Sequence, residues 1–301
     1  MSGPRILSIG DIKRILAERN LRPRRRLGQH FMVDRSALMA LVDRAELTST
    51  DVVLEPGAGP GNLTALLSDR AGWVVAVELD ESLCAVAAER LSRRKNITLL
   101  RADIMEDGDR INPLVRKAIS DSQAALGGGF KVVANLPYCI ATALVTALLL
   151  EEPVPERIVV TVQKEVADRL TASPGSRDYG YISVMVQAVA EARRIRILSP
   201  RCFWPEPDVE GALVLIRPDS ARRPCRDDLA RLQRAASRLF THRRKQLVGA
   251  LVQSGLAPDR ASALRLCEAS GVKYSSRAEE LTVADLLALS RALEGQATPS
   301  Q

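Results

Sequence analysis

The sequence predicts an α/β fold, with a parallel sheet covered by helices on both faces, followed by a small all-helical domain. Short apolar runs of strand length alternate with helix-length segments over the first two thirds of the chain. This alternation is typical of parallel strands joined by crossover helices. Several of the runs end at an acidic or amide residue, as expected at the ligand-binding edge of such a sheet. Beyond a segment rich in proline and arginine, only helical periodicity of apolar residues remains.

The individual elements follow from their length and from the residues that bound them. A helix over 9–19 precedes a basic loop, and Asp34 is a candidate N-cap for a helix over 36–45. The predicted strands are 52–54, 73–77, 97–100, 131–134, 158–162, 195–198 and 212–216, and the helices among them are 63–70, 83–91, 141–150, 164–170 and 182–190. Helices over 229–240, 245–251, 258–267 and 283–293 form the second domain. We therefore predict a basic N-terminal extension over 1–26, a catalytic α/β domain over 27–218 and a helical domain over 226–301.

Composition restricts the classes of function. Among the 301 residues, 43 Lys and Arg outnumber 36 Asp and Glu, and a net charge of +7 suits a polyanionic partner. The odd number of cysteines, five, and the lack of C-x-x-C spacing argue against a disulfide framework and a zinc site. With two histidines, a His-based triad or a multi-His metal site is not expected. No apolar run reaches transmembrane length and no signal peptide is evident, so we expect a cytoplasmic protein without a membrane partner. We also expect a monomer that holds no metal.

A glycine-rich loop follows the first strand of the predicted sheet. The segment 55–61 reads E-P-G-A-G-P-G and lies between a strand and a helix. Its glycines Gly57 and Gly59 permit unusual backbone angles and a close approach of a ligand to the backbone. Glu78 ends the next strand, where a carboxylate accepts hydrogen bonds from ribose hydroxyls, and Asp103 follows the third, where it suits an adenine amino group. The alternatives are an ordinary tight turn and two solvated strand ends.

The chemistry of this loop distinguishes between two nucleotide cofactors. A dinucleotide fingerprint spaces its last two glycines as G-x-x-G, whereas Gly59 and Gly61 are separated only by Pro60. Pro60 has no N–H to offer a pyrophosphate. Glu55 would repel a pyrophosphate but suits the cationic sulfonium of S-adenosylmethionine. The loop therefore favours S-adenosyl-L-methionine as the cofactor.

The tetrapeptide Asn135-Leu136-Pro137-Tyr138 follows the fourth strand. An adenine amino group is a poor nucleophile because its lone pair is delocalised into the ring. The Asn135 amide oxygen and the Leu136 carbonyl can accept its two N–H bonds and aim the lone pair at a methyl group. Pro137 fixes the loop, and Tyr138 offers a face on which an unstacked base can lie. Orientation then supplies most of the rate without a general base, although an ordinary turn remains the alternative for the tetrapeptide alone.

These motifs, together with others along the chain, resemble the ribosomal RNA adenine dimethyltransferase family, and specifically the small-subunit enzyme of bacteria. The matching segments occur in family order over nearly the whole chain: 26–31 (RLGQHF), 55–64, 135–138, 163–166 (QKEV), 174–176 with 179–180, 203–207 (FWPEP), 240–245 (FTHRRK) and 277–279 (RAE). The resemblance implies a Rossmann-like S-adenosylmethionine-dependent methyltransferase fold. It also implies dimethylation of N6 on two adjacent adenosines of small-subunit (16S) rRNA during ribosome biogenesis.

The resemblance also assigns roles to particular residues. It implies cofactor contacts from His30, Met32, Gly57, Glu78, Asp103 and Asn135. Phe203 resembles a second aromatic near the target base, with a core phenylalanine as the alternative. Three positions depart from the family pattern: His30 and Cys139 each stand where the family usually has Asn, and Glu210-Gly211 replaces a common Asp-Ser.

Clusters of basic residues suggest an RNA footprint, with the helical domain helping to bind the ribosomal particle. The candidate RNA-binding residues are Arg24, Arg25, Arg26, Arg222, Arg223, Arg243, Arg244 and Lys245. Any one cluster is more often a solvated face, but several on a basic chain predict salt-dependent RNA binding. Three other functions remain open: a large-subunit (23S) rRNA adenine methylase, a non-enzymatic nucleic-acid-binding factor on the same fold, and a small-molecule methyltransferase.

Overall fold

The structure is a computed structural model, described here over residues 6–24 and 28–295. Arg25 and Arg26, two of the predicted RNA-binding residues, lie outside these ranges. Within them, no helix combines the length and apolar character that a membrane span requires.

A seven-stranded sheet forms the centre of the α/β part of the chain. Eleven strands are assigned in the described ranges: β1 Phe31–Met32, β2 Val52–Pro56, β3 Trp73–Glu78, β4 Ile97–Arg101, β5 Met105–Glu106, β6 Arg110–Ile111, β7 Phe130–Asn135, β8 Arg157–Gln163, β9 Ala190–Leu198, β10 Phe203–Trp204 and β11 Gly211–Pro218. The sheet order is β4-β3-β2-β7-β8-β11-β9. The first five of these strands pair in parallel, and β11 runs antiparallel to β8. This arrangement confirms the predicted α/β fold with a mostly parallel sheet.

The strand order reverses between β2 and β7. From β2 the chain proceeds through β3 to β4 on one side, and from β7 it proceeds to β8 on the other. The loops that leave β2 and β7 therefore diverge, and a crevice opens between them at the carboxyl ends of the strands. The glycine-rich loop follows β2 and the tetrapeptide begins at the end of β7, so topology places both predicted motifs at the same crevice.

Twelve α-helices are assigned in the part of the chain that the structure describes. They are α1 Ile9–Glu18, α2 Arg35–Ala45, α3 Asn62–Ser68, α4 Glu81–Leu91, α5 Pro113–Leu126, α6 Ala141–Leu150, α7 Lys164–Leu170, α8 Tyr181–Val189, α9 Arg226–Leu239, α10 Leu247–Gln253, α11 Arg260–Ser270 and α12 Val283–Gly295. Asp34 caps α2, because its side chain accepts the Ala37 N–H at 2.7 Å, and this confirms the predicted N-cap. Most predicted elements differ from the observed ones only by a few residues at their ends.

Helix α5 is absent from the elements predicted above. Asn112 caps it, proline occupies its first position, and Gly127 ends it in the left-handed region. These residues are ordinary helix boundaries, but within the helix only Val115 and Ile119 are buried. The apolar period is therefore weak. The helix completes the crossover from β4 to β7, which the parallel sheet requires.

Two short strands outside the main sheet hold the segment before α2 in place. β1 and β10 pair antiparallel, with Phe31 opposite Trp204 and Met32 opposite Phe203. The Phe31 and Trp204 rings stack with centroids 6.4 Å apart. This ribbon joins residues about 170 positions apart in sequence, and it fixes the backbone of the preceding residue, His30.

The chain divides into two compact units. One comprises Met1–Ala167 with Arg193–Pro218, and the other comprises Asp168–Ala192 with Asp219–Gln301. Residues 168–192 thus cluster with the C-terminal helices, whereas the predicted catalytic domain, 27–218, includes them. The physical reason is packing: α8 packs on α9 and α12, and the fully buried Tyr179 donates from its hydroxyl to the Leu281 carbonyl at 3.0 Å. Whether each unit has the function predicted for its domain remains a prediction.

A buried ion pair joins elements at the end of the sheet where β2 and β7 begin. Lys131 Nζ lies 2.8 Å from Asp51 Oδ2, with the two side chains 10% and 5% exposed, and it donates to the Glu46 carbonyl at 2.7 Å. We expect Lys131→Met to lower the free energy of unfolding by roughly 3 kcal/mol or more, because it leaves the Asp51 charge buried without its partner. Urea denaturation would measure the change.

The matched control for this substitution is Lys117→Met. Lys117 pairs with Asp121 on α5, but both side chains are more than 60% exposed, so its loss should cost less than about 1 kcal/mol. Equal urea midpoints for Lys131→Met and the wild type would contradict a stabilising role for the buried pair.

Candidate functional site

An open cavity of about 260 Å³ lies at the crevice between the loops after β2, β3, β4 and β7. Its volume is near the lower end of the range for small-molecule pockets, roughly 300–1,000 Å³. Six of the eight residues predicted to bind the cofactor line it: His30, Gly57, Gly59, Glu78, Asp103 and Asn135. The other two, Met32 and Glu55, line a smaller adjoining cavity of about 30 Å³ that shares Gly57, Gly59 and Asn135 with the first.

The glycine turn and the tetrapeptide are in contact. Gly57 and Gly59 have φ values of +74° and +54°, a backbone region that residues other than glycine rarely adopt. A Cβ atom placed on Gly57 would lie 3.3 Å from the ring of Pro137. The Gly57 N–H donates to the Val77 carbonyl at 2.8 Å, which fastens the turn to β3. Glycine at this position therefore allows the two motifs to form adjacent walls of one cavity.

Glu78 is held rigidly at the cavity wall. Its Oε2 accepts the Gly59 N–H at 2.7 Å and its Oε1 accepts the Asp80 N–H at 2.8 Å. The side chain is 6% exposed, and burial raises the pKa of this carboxyl group although both N–H donors oppose the rise. Each carboxylate oxygen has a second lone pair. Glu78 can thus accept hydrogen bonds from hydroxyl groups of a ligand without giving up its own anchoring bonds.

Burial determines the electrostatic state of Glu55. It is 2% exposed, and its Oε2 has no hydrogen-bond partner among the described residues. Burial raises the pKa of Glu55 to about 8, and the neighbouring Glu78 adds to the rise. Burial therefore favours the protonated form of this carboxyl group in the free protein, and the contact of Glu55 with a cofactor stays a prediction. A cation brought to the adjoining cavity would favour the ionised form.

The side chain of Asn135 is bonded at both ends of its amide. Its Nδ2 donates to the His30 carbonyl at 2.8 Å, and its Oδ1 accepts from Thr161 Oγ1 at 2.6 Å. These two bonds determine which end of the amide is oxygen, since a carbonyl can only accept. An aspartate at this position would place an acceptor against the His30 carbonyl, so the chemistry favours asparagine.

The other residues of the tetrapeptide differ in accessibility. Leu136 is buried, and its N–H donates to the Thr161 carbonyl at 3.1 Å. Pro137 lines the cavity, whereas Tyr138 is half-buried and does not. The Tyr138 ring stacks on His30 with centroids 5.6 Å apart. Its hydroxyl group is buried without a hydrogen-bond partner in the described ranges, and burial raises the pKa of Tyr138 to about 12.

His30, which departs from the family pattern, contributes its carbonyl and its ring to the site. Its Nδ1 lies 2.7 Å from the Pro205 carbonyl, an acceptor, so this nitrogen carries a hydrogen. Because the backbone carbonyl of His30 accepts from Asn135, the position can serve Asn135 whichever side chain it carries. The departure therefore leaves this support of Asn135 intact. Cys139, the second departure, is exposed and also lines the cavity.

Phe203 does not have the position expected of a second aromatic at the target base. It is 1% exposed and belongs to the main hydrophobic core, with Leu198 and Leu213. A Cβ atom on Gly211 would lie 3.2 Å from its ring. The glycine that replaces the family's serine thus leaves room for a buried Phe203. This burial favours the alternative, a core phenylalanine, over a contact with the target base.

Several residues at the cavity were not singled out from the sequence. Leu79 and Ile104 line it and directly follow the acidic strand-end residues Glu78 and Asp103. An apolar residue next to each acidic one was the available signal, because the adenine ring of a ligand needs an apolar surface beside its polar contacts. Thr161 was also missed, although it is the one hydroxyl residue in an apolar buried strand.

The predicted RNA-binding residues have varied surroundings. Arg24 pairs with Asp80 at 3.4 Å and Arg222 pairs with Asp219 at 3.1 Å, and both arginines remain more than half exposed. Arg243 donates to the Tyr179 carbonyl at 3.0 Å and so also stabilises the helical unit. The remaining described candidates are Arg223, which is half-buried, and Arg244 and Lys245, which are exposed. No group of three or more His, Cys, Asp or Glu that could hold a metal ion occurs in residues 6–24 and 28–295.

Comparisons with known proteins identify the family of the sequence. The sequence profile of a family described as "Ribosomal RNA adenine dimethylase" matches residues 20–293. Ribosomal RNA small subunit methyltransferase A of Pelotomaculum thermopropionicum is 36% identical over 94% of this chain and 96% of its own length. The protein of the same name from Rubrobacter xylanophilus is 38% identical over 92% of this chain and 97% of its own.

Two solved structures have a similar fold. A dimethyladenosine transferase from Plasmodium falciparum superposes with a TM-score of 0.69 at 21% identity, over 86% of this chain and 96% of that one. The 23S rRNA methyltransferase ErmE superposes with a TM-score of 0.61 at 26% identity, over 88% of this chain and 99% of its own. The first of these likenesses concerns the fold alone.

The raised pKa of Glu55 predicts a pH dependence of stability. The pKa is about 8 in the folded protein against an ordinary value of 4.5, so the folded state binds this proton more tightly than the unfolded chain does. The resulting stability is fully present below pH 4.5 and is lost as the pH rises through about 8. We expect the wild type to lose a few kcal/mol over this window relative to Glu55→Gln, as measured by urea denaturation at several pH values.

The control for this experiment is Glu268→Gln, which alters an exposed carboxyl group on α11. It should leave the wild-type pH profile unchanged. Parallel profiles for the wild type and Glu55→Gln would show that Glu55 is ionised in the folded protein at neutral pH.

Proposed function

Because the chain belongs to the ribosomal RNA adenine dimethylase family, we propose that it transfers methyl groups from S-adenosylmethionine to N6 of two adjacent adenosines in small-subunit (16S) rRNA. The observation that carries the proposal is the contact between the glycine turn and the Asn135 tetrapeptide, which form adjacent walls of one cavity. A cofactor and a purine amino group bound there would meet.

The residues at the cavity fit S-adenosylmethionine. The glycine turn leaves space at the backbone, Glu78 and Asp103 supply acceptors for hydroxyl and amino groups, and Leu79 supplies apolar surface. Glu55, whose Oε2 has no hydrogen-bond partner among the described residues, lines the smaller adjoining cavity and suits a cationic ligand. When bound, S-adenosylmethionine supplies a methyl group on a positively charged sulfur, an excellent leaving group.

The chain's own residues orient the nucleophile. Asn135 Oδ1 and the Leu136 carbonyl accept the two N–H bonds of the target amino group, which frees its lone pair from the ring and directs it into the cavity. Pro137 keeps the loop against the glycine turn. Tyr138, half-buried beside the cavity, offers its ring face to the extruded base. Orientation of this kind supplies most of the acceleration, because the leaving group needs no further activation. When the bond from N6 to the methyl carbon forms and the bond from sulfur to that carbon breaks, N6 becomes cationic and would release its proton to water, so no general base is needed.

Small-subunit rRNA is favoured over large-subunit rRNA. The relatives named for the small subunit are 36% and 38% identical to this chain, whereas the 23S rRNA methyltransferase is 26% identical. The retained tetrapeptide argues against a non-enzymatic factor, and the basic clusters argue against a small-molecule substrate.

We further propose that the protein acts as a cytoplasmic monomer during small-subunit assembly and that it needs no metal. We also propose that its helical part helps to bind the ribosomal particle.

The test uses purified 30S and 50S subunits that lack the modification, with labelled S-adenosylmethionine. We expect label only in small subunits, as dimethyladenosine at two adjacent nucleotides when the rRNA is mapped. Label confined to large subunits would support the 23S methylase, and stoichiometric binding without label would support the non-enzymatic factor.

Asn135→Ala should abolish methyl transfer, a loss of more than about a hundredfold, because it removes a preorganised polar group at the reacting centre. The fold and the affinity for small subunits should be retained, although the melting temperature should fall by several degrees, because the buried Thr161 hydroxyl loses its partner. Asn96→Ala is the matched control, since the Asn96 side-chain amide donates to the Ser68 and Ala71 carbonyls, away from the cavity. Wild-type turnover by Asn135→Ala would refute the proposed role.

Binding of RNA should depend on salt through individual basic residues. Arg244→Ala should reduce the slope of log K against log salt concentration by roughly 0.7–0.9, the value for one phosphate contact. Lys117→Ala removes the same charge from α5, outside the predicted clusters, and should leave the slope unchanged. Filter binding to small-subunit rRNA at several salt concentrations measures both, and equal slopes for the two variants would exclude Arg244 from the footprint.

A further inference from the structure

Strand β8 carries a hydroxyl group where the rest of the strand is apolar. Between Arg157 and Gln163 the sequence reads I-V-V-T-V, and Thr161 is fully buried. Burying a hydroxyl group costs free energy unless it forms a hydrogen bond. A valine would complete the apolar run and would fit the same volume, so packing does not explain the threonine.

Two polar groups of Thr161, its hydroxyl group and its carbonyl, are bonded to the start of the tetrapeptide. Its Oγ1 donates to Asn135 Oδ1 at 2.6 Å, and its carbonyl accepts the Leu136 N–H at 3.1 Å. Thr161 lies directly opposite Asn135 in the parallel pairing of β7 and β8. The contact therefore arises between two rigid neighbouring strands, not between mobile loops.

The hydroxyl group complements the bond at the other end of the amide. With only the Nδ2 bond to the His30 carbonyl, the amide plane could still tilt about that single contact. The Thr161 bond fixes the oxygen as well. An amide oxygen accepts two hydrogen bonds, so one lone pair of Oδ1 is engaged by Thr161 and the second remains for a ligand.

We propose that Thr161 is a positioning residue that aims the free lone pair of Asn135 Oδ1 at the amino group of the target adenine. The inference rests on the proposed function, because it assigns Asn135 Oδ1 as an acceptor for that amino group. Thr161 itself does not touch the substrate. Its effect is exerted through the orientation of Asn135, and it should therefore appear in turnover and not in cofactor binding.

Two substitutions separate the hydroxyl group from the volume of the side chain. Thr161→Val keeps the shape and removes the hydrogen bond, whereas Thr161→Ser keeps the hydroxyl group and removes a methyl group. We expect Thr161→Val to lower kcat by roughly tenfold to a hundredfold, the scale of small errors in alignment. The KM for small subunits and the dissociation constant for S-adenosylmethionine should each change by less than about twofold. Thr161→Ser should restore most of the wild-type kcat.

The matched control is Thr98→Val. Thr98 lies on β4 and accepts from the Trp73 indole at 2.9 Å, so this variant also removes a bonded threonine hydroxyl from the sheet, but away from Asn135. Its kcat should equal that of the wild type. If Thr161→Val does not fold, Thr161→Ala, which introduces no new group, replaces it in the same comparison.

The outcomes distinguish this inference from the proposed function. Wild-type kcat in Thr161→Val, or equal slowing in Thr161→Val and Thr161→Ser, would overturn the positioning role. An inactive wild-type protein on small subunits would instead overturn the proposed function. In that case, hydrogen exchange of the Asn135 side-chain amide still tests whether Thr161 holds that amide in place. The amide signal is assigned in the NMR spectrum by its absence from that of Asn135→Ala. Faster exchange in Thr161→Val than in Thr161→Ser supports it, and equal exchange overturns it.

Discussion

The site depends on one topological constraint, the reversal of strand order between β2 and β7. Two adjacent parallel strands whose onward connections diverge leave their carboxyl ends uncovered, and each end can carry a functional loop. Here the loop after β2 is the glycine turn and the loop after β7 is the tetrapeptide. They touch because Gly57 has no side chain, and a Cβ atom there would lie 3.3 Å from Pro137. The cofactor and the target amino group can therefore share a single cavity.

Around this crevice, the polar side chains are anchored by hydrogen bonds to the backbone and to a strand residue. Glu78 is anchored by two backbone N–H groups, and Asn135 is bonded to a backbone carbonyl and to a strand hydroxyl. Such contacts orient acceptors before a ligand arrives, so little reorganisation is needed when charge shifts during the reaction. Burial raises the pKa of Glu55, so its carboxyl group carries no buried charge until a cation is present to balance it.

Much of the fold could be predicted because its signals are local. Strand-length apolar runs, the Asp34 cap and the glycine turn each depend on neighbouring residues, and the elements that contain them are present. Helix α5 was missed because few of its residues face the core, which weakens the apolar period. Phe203 was assigned to the site from motif resemblance, whereas its burial is determined by Gly211 and by the strands around it.

The sequence by itself determined the fold class, the family and the identity of most groups at the cavity, because these depend on residue types at fixed spacings. Tertiary structure alone decided how those groups are oriented. The Asn135 amide is directed by His30, 105 positions away, and His30 is held by Pro205, 175 positions from it. It also decided the burial of Glu55, which raises the pKa of its carboxyl group, and the grouping of 168–192 with the C-terminal helices. Burial and hydrogen bonding between distant segments arise only when the strands are assembled, so no local pattern of residues encodes them.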